Sequence, residues 1–327
     1  MAAKKTVESA KTISPVVLRR MLISGGKMLE VNKNKIDSLN VFPVPDGDTG
    51  TNMSLTMMSA IREVCSVSSN SMEVIAEKLA KGALKGARGN SGVILSQLLK
   101  GIANGISTKS EIDAKTFAKA FKSGVEIAYG AVAKPKEGTM LTVSRIMAET
   151  ALEISKKPIL MTDFFEQLVK SGEEILARTP DMLDVLKKAG VVDSGGYGIV
   201  TIFKGFLLGY KGEEITGAED FEVREVAAQV SSEQANIDYT LLDDIEFGYC
   251  TEFFIINIYK KTTLVDIDKL RQKLNEIGDS TLVIGDLNLI KVHVHTNKPG
   301  VALTYALELG EIDKIKIENM LEQNREL

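Results

Sequence analysis

Residues 40–53 read NVFPVPDGDTGTNM, an acidic loop with long helical patterns on both sides. Its two prolines restrict the backbone, and each favours an extended conformation in the residue before it. Asp46 and Asp48 flank a glycine, and paired carboxylates on a stiff turn are hard oxygen ligands that suit Mg²⁺. The sequence TGTN at residues 49–52 then begins a helix, whose hydroxyl and N–H groups can bind phosphate. The loop therefore predicts adjoining metal and phosphate sites, whereas a bare Asp-Gly-Asp would indicate a capped turn with two surface aspartates.

The chain around this loop has a helical pattern from about residue 14 to residue 210. Ser14 followed by Pro15 is a typical helix start, with a capping side chain before a proline in the first turn. Apolar residues then recur at the spacing of one helix face. Eight or nine helices are predicted, with no credible strand among them. Residues 1–210 are therefore expected to form an all-α domain.

Four breaks in the helical pattern are rich in glycine and small polar residues, and each lies directly before a predicted helix. They are residues 44–52, 86–92, 135–139 and 191–198. Helix N-termini carry unpaired N–H groups and the positive end of the dipole, and glycine lets an anion approach the backbone. The four breaks are suited to one rim of a helical barrel that binds an anion. The alternative is that they are tight turns in a bundle.

The character of the chain changes after the helical region. Residues 211–238 are acidic, polar and weakly periodic, as is typical of a linker. In residues 239–327 the patterns follow the order βαββαβ of a ferredoxin-like sandwich, with helices predicted at 266–277 and 299–309. The chain ends in a charged, helix-like stretch without a stop signal, so we expect it to be a piece of a longer protein.

The only two histidines, His293 and His295, lie on one predicted strand, where alternate residues share a face. In a ferredoxin-like sheet this third strand lies antiparallel beside the first, so the pair is expected to meet Cys250. Two imidazoles and a thiolate suit Zn²⁺, with water or another side chain as the fourth ligand. The alternative is a pair of polar residues on a half-exposed strand and a cysteine that acts as a small hydrophobe.

Composition restricts the partners and the compartment. The net charge is −4 and there is no lysine–arginine stripe, so nucleic acid is not an expected partner. Two cysteines in 327 residues argue against a disulfide framework and for a reducing compartment. No apolar run is long enough for a transmembrane segment, and the polar start of the chain lacks a secretory signal. We therefore expect a cytoplasmic protein.

Four stretches together resemble the family of FakA, the catalytic component of fatty acid kinase, which is related to the L subunit of dihydroxyacetone kinase (DhaL). They are residues 40–53, GARGNSGVILS at 86–96, VVDSGG at 191–196 and KVHVHT at 291–296. The resemblance covers essentially the whole chain, and the combination of motifs is specific. It implies an eight-helix barrel that holds ATP or ADP with two Mg²⁺ ions, and a Zn²⁺ at Cys250, His293 and His295 of structural or regulatory role.

The resemblance also implies the site residues of the helical domain. Asp46 and Asp48 would bind Mg²⁺. The DhaL pattern has a third aspartate upstream, for which the nearest candidate here is Asn40, a weaker neutral ligand with one extra intervening residue. Arg178 would neutralise phosphate charge, or else interact with the C-terminal dipole of its own helix. The implied nucleotide contacts are Thr49, Gly50, Thr51, Asn52, Asn90, Ser91, Gly92, Thr139, Met140, Arg178, Asp193, Ser194 and Gly195.

The predicted function is transfer of phosphate from ATP to the carboxylate of a fatty acid, which a separate binding protein presents, to give an acyl phosphate. The helical domain contains no histidine, and its one cysteine, Cys65, is better explained as a packing or surface residue. A carboxylate acceptor, with a pKa of roughly 4–5, is already ionised and needs no general base. The alternatives are a dihydroxyacetone-type small-polyol kinase and a nucleotide- and zinc-binding interaction module without turnover. The resemblance also allows a homodimer.

Overall fold

The computed structural model describes residues 11–213, 215 and 246–322. The chain divides into two compact units, one helical and one with a four-stranded antiparallel sheet. This confirms the predicted fold class of a helical domain followed by a smaller α/β domain. Most of the predicted linker at residues 211–238, and residues 323–327 of the charged end, lie outside the described residues.

The described part of the helical unit contains eight long helices. They are α1 (Pro15–Ser38), α2 (Thr49–Cys65), α3 (Met72–Gly86), α4 (Gly89–Ile106), α5 (Ala114–Ala131), α6 (Met140–Ile154), α7 (Met161–Leu176) and α9 (Ser194–Lys211). A short helix α8 (Asp184–Ala189) precedes α9. Two strands of two residues each, β1 (Thr12–Ile13) and β2 (Ile112–Asp113), form an antiparallel pair. No strand was predicted here, because two residues are too few to show the period of a strand.

Helix α1 begins as predicted. The backbone N–H of Val17 donates a hydrogen bond to Ser14 Oγ at 3.4 Å, and Pro15 is the first helical residue. Helix α1 packs closely on α9, where a Cβ added to Gly205 would lie 2.6 Å from the Cα of Gly25. The core also contains a cluster of phenylalanine rings at Phe117, Phe121, Phe164, Phe165 and Phe203.

The α/β unit has the elements β3 (Tyr249–Ile256), α10 (Leu264–Asn275), β4 (Gly278–Asp286), β5 (Leu289–Thr296), α11 (Pro299–Leu307) and β6 (Glu311–Asn319). The strand order is β4-β5-β3-β6, and all neighbours are antiparallel, as in a ferredoxin-like sandwich. Strand β5 lies beside β3 with His295 opposite Cys250. The predicted pairing of the first and third strands is therefore confirmed.

Helix α10 begins earlier than predicted, at Leu264 instead of Asp266. Thr263 is the N-cap residue, and its N–H and hydroxyl donate to the Asp266 carboxylate at 2.9 and 2.8 Å. Asp266 is therefore the third helical residue of a capping box and not the cap itself.

Alternation along β3 and β5 gives the sheet two different faces. Phe253, Ile255, Val292 and Val294 pack with α10 and α11 in the apolar core of the unit. Successive side chains of a strand point to opposite faces. The residues between them therefore form a polar face, which contains Cys250, Glu252, Lys291, His293 and His295.

Candidate nucleotide and metal sites

The acidic loop ends at the N-terminus of α2. Asp46 and Asp48 are both half-buried, and Gly47 between them has a φ of 63°, a value that favours glycine. Asp48 is the N-cap residue of α2, and its carbonyl accepts the N–H of Asn52 at 2.8 Å. The Asp48 side chain makes no capping bond to the helix. The backbone carbonyl thus starts the helix, and the carboxylate is not used as its cap.

Asp37, which belongs to none of the sequence motifs, fixes the start of α2. Its Oδ1 accepts the N–H groups of Gly50 at 2.6 Å and Thr51 at 3.0 Å, and its Oδ2 accepts the Thr51 hydroxyl at 2.7 Å. A side chain at Gly50 would collide with the carbonyl of Lys33, so this glycine allows α2 to approach α1. One signal was present in the sequence. An acidic residue in the last turn of a helix is unfavourable for the dipole, and this position of Asp37 needs a tertiary reason.

Replacing Asp37 by alanine is expected to lower the free energy of unfolding by about 1–3 kcal/mol, because three bonds to a charged group and the N-terminal anchor of α2 are lost. Urea unfolding of both proteins measures the difference. The matched control is D163A, which removes an exposed carboxylate from the first turn of α7 and should cost less than about 1 kcal/mol. Equal losses in the two variants would contradict a specific role for Asp37.

The second glycine-rich break meets the first. The Ser91 hydroxyl donates to the carbonyl of Thr49 at 3.4 Å, and both residues are buried. Gly89 has a φ of 54°, and a side chain there would collide with the amide of Asn52. A side chain at Gly92 would collide with the Thr56 hydroxyl. The N-termini of α2 and α4 are therefore in direct contact, with the half-buried Asn90 in the first turn of α4.

The third and fourth breaks meet through Asp193. Its carboxylate accepts the N–H of Gly196 at 2.6 Å and the backbone N–H of Met140. Asp193 is thus the cap of α9 and also contacts the first residue of α6. Gly195 lies against the Met140 side chain, where an added Cβ would be 3.0 Å from its Cβ and Sδ atoms. The N-termini of α6 and α9 are therefore joined.

One further contact links the two pairs of breaks. A Cβ added to Gly198, in the first turns of α9, would lie 2.6 Å from Sδ of Met53, in the first turn of α2. The starts of α2, α4, α6 and α9 therefore form one connected set within the helical unit. This arrangement is the one expected of a rim, and it is not expected of turns scattered around a bundle.

The remaining sequence-predicted residues lie around this set. Thr139 is the N-cap residue of α6, and its hydroxyl donates to the carbonyl of Lys136 at 2.8 Å. Ser194 is the buried first residue of α9. Arg178 is exposed and directly precedes Thr179, whose hydroxyl accepts the N–H of Asp193 at 3.0 Å. Asn40 is buried, and its backbone N–H donates to the carbonyl of Asp37 at 3.0 Å.

Burial raises the pKa of Asp193 to about 7, although the two backbone N–H groups that it accepts act in the opposite direction. The carboxyl group lies deep between two helix N-termini, where water cannot stabilise its charge. Folding therefore favours the protonated form of this group over the form present in the unfolded chain at neutral pH.

Replacing Asp193 by asparagine is expected to remove a pH dependence of stability. Because the pKa is raised on folding from 3.8 to about 7, the folded chain retains a proton that the unfolded chain has released. The contribution of this group to the free energy of unfolding is full below about pH 4 and is lost as the pH rises to about 7, with a maximal slope of about 1 kcal/mol per pH unit. Urea unfolding at several pH values should show wild type losing stability relative to D193N over this range. A difference that is independent of pH would contradict the shift.

The α/β unit contains a second candidate site on the polar face of its sheet. The ligand atoms of Cys250, His293 and His295 all lie within 4.8 Å of one another. Both histidines are buried, and Cys250 is half-buried. The Nε2 atom of His293 is buried and has no hydrogen-bond partner among the described residues. A buried nitrogen without a partner, beside a thiol and a second imidazole, fits a metal such as Zn²⁺.

The protonation tendencies of these groups agree with a site for a cation. Burial, followed by the charges of Glu252 and Glu318, raises the pKa of the Cys250 thiol far above its usual range. Burial also lowers the pKa of His293, which favours the neutral imidazole that binds metals. A nearby divalent cation would offset the cost of forming the thiolate.

The chain matches two family models, the DAK2 domain over residues 43–208 and the FakA-like middle domain of fatty acid kinase over residues 246–327. It is 44% identical over 318 residues to Protein YloV of Bacillus subtilis (strain 168), which covers 97% of this chain and 57% of that relative. It is 43% identical over 309 residues to an uncharacterised protein of Staphylococcus aureus (strain USA300), with 94% and 56% covered. The chain thus spans just over half the length of these relatives. None of the helices in the described residues has the length and apolarity needed to cross a membrane.

Proposed function

The chain belongs to the DAK2-domain family, which is kinase-like, and from this we propose that it is the nucleotide-binding part of an ATP-dependent kinase acting on the carboxylate of a fatty acid. The observation that supports the proposal best is the connected set of four helix N-termini beside the acidic loop. N–H groups and dipoles directed to one place favour a bound polyphosphate. A FakA-like middle domain next to a DAK2 domain agrees with this acceptor.

We assign the metal and nucleotide contacts as follows. Asp46 and Asp48 hold Mg²⁺, with Asn40 as a weaker third ligand, and the bound metal supplies neutralisation of phosphate charge. The exposed Arg178 adds positive charge at the same rim. The proposed nucleotide contacts are Thr49, Asn52, Asn90, Ser91, Gly92, Thr139, Met140, Ser194 and Gly195.

Three further residues of the predicted nucleotide set have another role in this proposal. The N–H groups of Gly50 and Thr51 and the Thr51 hydroxyl are bonded to Asp37, so these residues position the loop. The Asp193 carboxylate is bonded to two helix N-termini, so it holds the starts of α6 and α9 together. These bonds leave the geometry of the rim fixed before the nucleotide binds, which is what electrostatic catalysis requires.

A carboxylate acceptor suits the groups that this chain provides. Phosphoryl transfer depends mainly on positioning and charge neutralisation and needs little covalent help. The helical unit contains no histidine that could act as a general base. A fatty acid is ionised at neutral pH and can attack without losing a proton, with a pKa of about 4–5. A separate protein that binds the acyl chain would present it, and the cytoplasm would supply the ATP.

In the α/β unit we propose a Zn²⁺ held by Cys250, His293 and His295. Its role would be structural or regulatory, because the phosphate chemistry is assigned to the helical unit. Two strands of one sheet supply the three ligands, so a bound ion would cross-link β3 and β5.

The test is a product analysis of the full-length protein with ATP, Mg²⁺ and a fatty-acid-loaded binding protein, in which hydroxylamine traps acyl phosphate for mass spectrometry. We expect an acyl hydroxamate that requires ATP, Mg²⁺ and the fatty acid. A phosphorylated product from dihydroxyacetone or glycerol instead would favour a small-polyol kinase. Binding of ADP to the chain with neither product would indicate an interaction module and contradict the proposed activity.

A further inference from the structure

Glu252 is a buried carboxylate on the same face of the sheet as the metal-binding candidates. It lies on β3 directly opposite His293 on β5. Its Oε1 is 2.9 Å from Nδ1 of His293, and the two side chains are only 5% and 2% exposed. A carboxylate buried to this degree is expensive unless other groups compensate its charge.

Lys291 provides that compensation. Its Nζ lies 3.0 Å from Oε2 of Glu252, and its side chain is 3% exposed. Burial opposes ionisation of Glu252, but the bonds to His293 and Lys291 outweigh it and hold the pKa of this carboxyl group well below its usual range. Glu252 is therefore ionised, and both of its oxygens accept hydrogen bonds.

This arrangement determines which nitrogen of His293 carries the proton. An ionised carboxylate can only accept hydrogen bonds, so Nδ1 must be the donor. In the neutral imidazole the lone pair is then on Nε2, the buried atom without a partner among the described residues. A carboxylate that holds one ring nitrogen while the other binds metal is a recurrent arrangement at histidine metal sites.

We propose that Glu252, neutralised by Lys291, is a positioning residue that directs Nε2 of His293 to the metal. The inference rests on the proposed zinc site and adds two residues that are not themselves ligands. The second histidine has a weaker counterpart. Nδ1 of His295 lies 3.5 Å from Oδ1 of Asp279, whose side chain is 57% exposed, so this carboxylate holds its ring less firmly.

The competing arrangement makes Glu252 the fourth ligand, because Oε1 is close to the imidazole. Metal binding through Nδ1 would then leave Nε2 buried without a partner, whereas the positioning arrangement satisfies it. The two arrangements differ in coordination of the ion, and this difference is measurable.

The test is the double variant E252M/K291M, which removes both charges together and leaves neither buried alone. We expect the affinity of the full chain for Zn²⁺, measured by competition with a chromophoric chelator, to fall about 10–100-fold. The matched control D279N should lose less than about threefold, because Asp279 is exposed and more distant. E252Q, which keeps an acceptor for Nδ1–H, should fall between the two and serves if the double variant fails to fold.

Substitution by Co²⁺ gives a readout beyond affinity. The absorption bands of the cobalt-loaded double variant should keep the pattern of the wild type, because no ligand has been removed. Unchanged Zn²⁺ affinity in E252M/K291M and E252Q would overturn the proposal. A changed cobalt spectrum would also overturn it, and would make Glu252 a ligand. Failure of the wild type to bind Zn²⁺ would instead contradict the zinc site itself, and with it this inference.

Discussion

Replacing Asp48 by asparagine is expected to abolish the ATP-dependent reaction of the full-length protein with its acyl-carrying partner. In the proposed site Asp48 is a Mg²⁺ ligand, and an amide is a much weaker ligand than a carboxylate for this hard cation. Charge stabilisation by the metal is worth several kcal/mol, so we expect turnover to fall about 10³-fold or more. The measurement is acyl hydroxamate formed per minute under saturating ATP.

The D48N variant should remain folded, which makes the loss interpretable. The Asp48 side chain does not cap α2, because the helix begins on its carbonyl. Thermal unfolding of the variant in the absence of Mg²⁺ should therefore resemble that of the wild type. D163N, which changes an exposed aspartate on α7, is the matched control and should retain full turnover. Turnover retained by D48N would remove the central assumption of the proposed mechanism.

Replacing Cys250 by serine is expected to remove the bound zinc. Structural zinc sites contribute about 10–16 kcal/mol over their whole ligand set, so loss of the thiolate should weaken binding about 10²–10³-fold. Metal analysis after gel filtration should give one Zn²⁺ per chain for the wild type and almost none for C250S. The thermal stabilisation that added Zn²⁺ gives the wild type should be lost as well.

The chain contains its own control for this experiment. Cys65, the other cysteine, is exposed at the end of α2, in the helical unit. C65S should therefore keep both the zinc and the zinc-dependent stabilisation. Binding of ADP should be the same in C250S and C65S, because the proposed nucleotide contacts all lie in the helical unit. A C250S protein that retains its full zinc content would contradict the assignment.

Relationships that depend on local pattern could be predicted from the sequence. Ser14 and Pro15 indicate the start of α1, and the structure has the cap at that place. The alternation KVHVH indicates a strand with both histidines on one face, and the βαββαβ order then predicts Cys250 opposite them. The family resemblance is confirmed by the matches to the DAK2 domain and the middle domain. The individual roles of the predicted nucleotide and metal residues remain predictions.

The sequence by itself determined the elements, their order and the small set of residues that can bind metal or phosphate, because helix and strand periods and capping residues act over a few positions. Only the tertiary structure decided how these residues are held. Asp37 bonds to the start of the next helix, Asp193 joins α9 to α6, and Glu252 reaches Lys291 and His293 across two strands. Such bonds join residues far apart in sequence, and no local period records them. They are set by burial, which forces each enclosed charge to find a partner wherever the fold provides one.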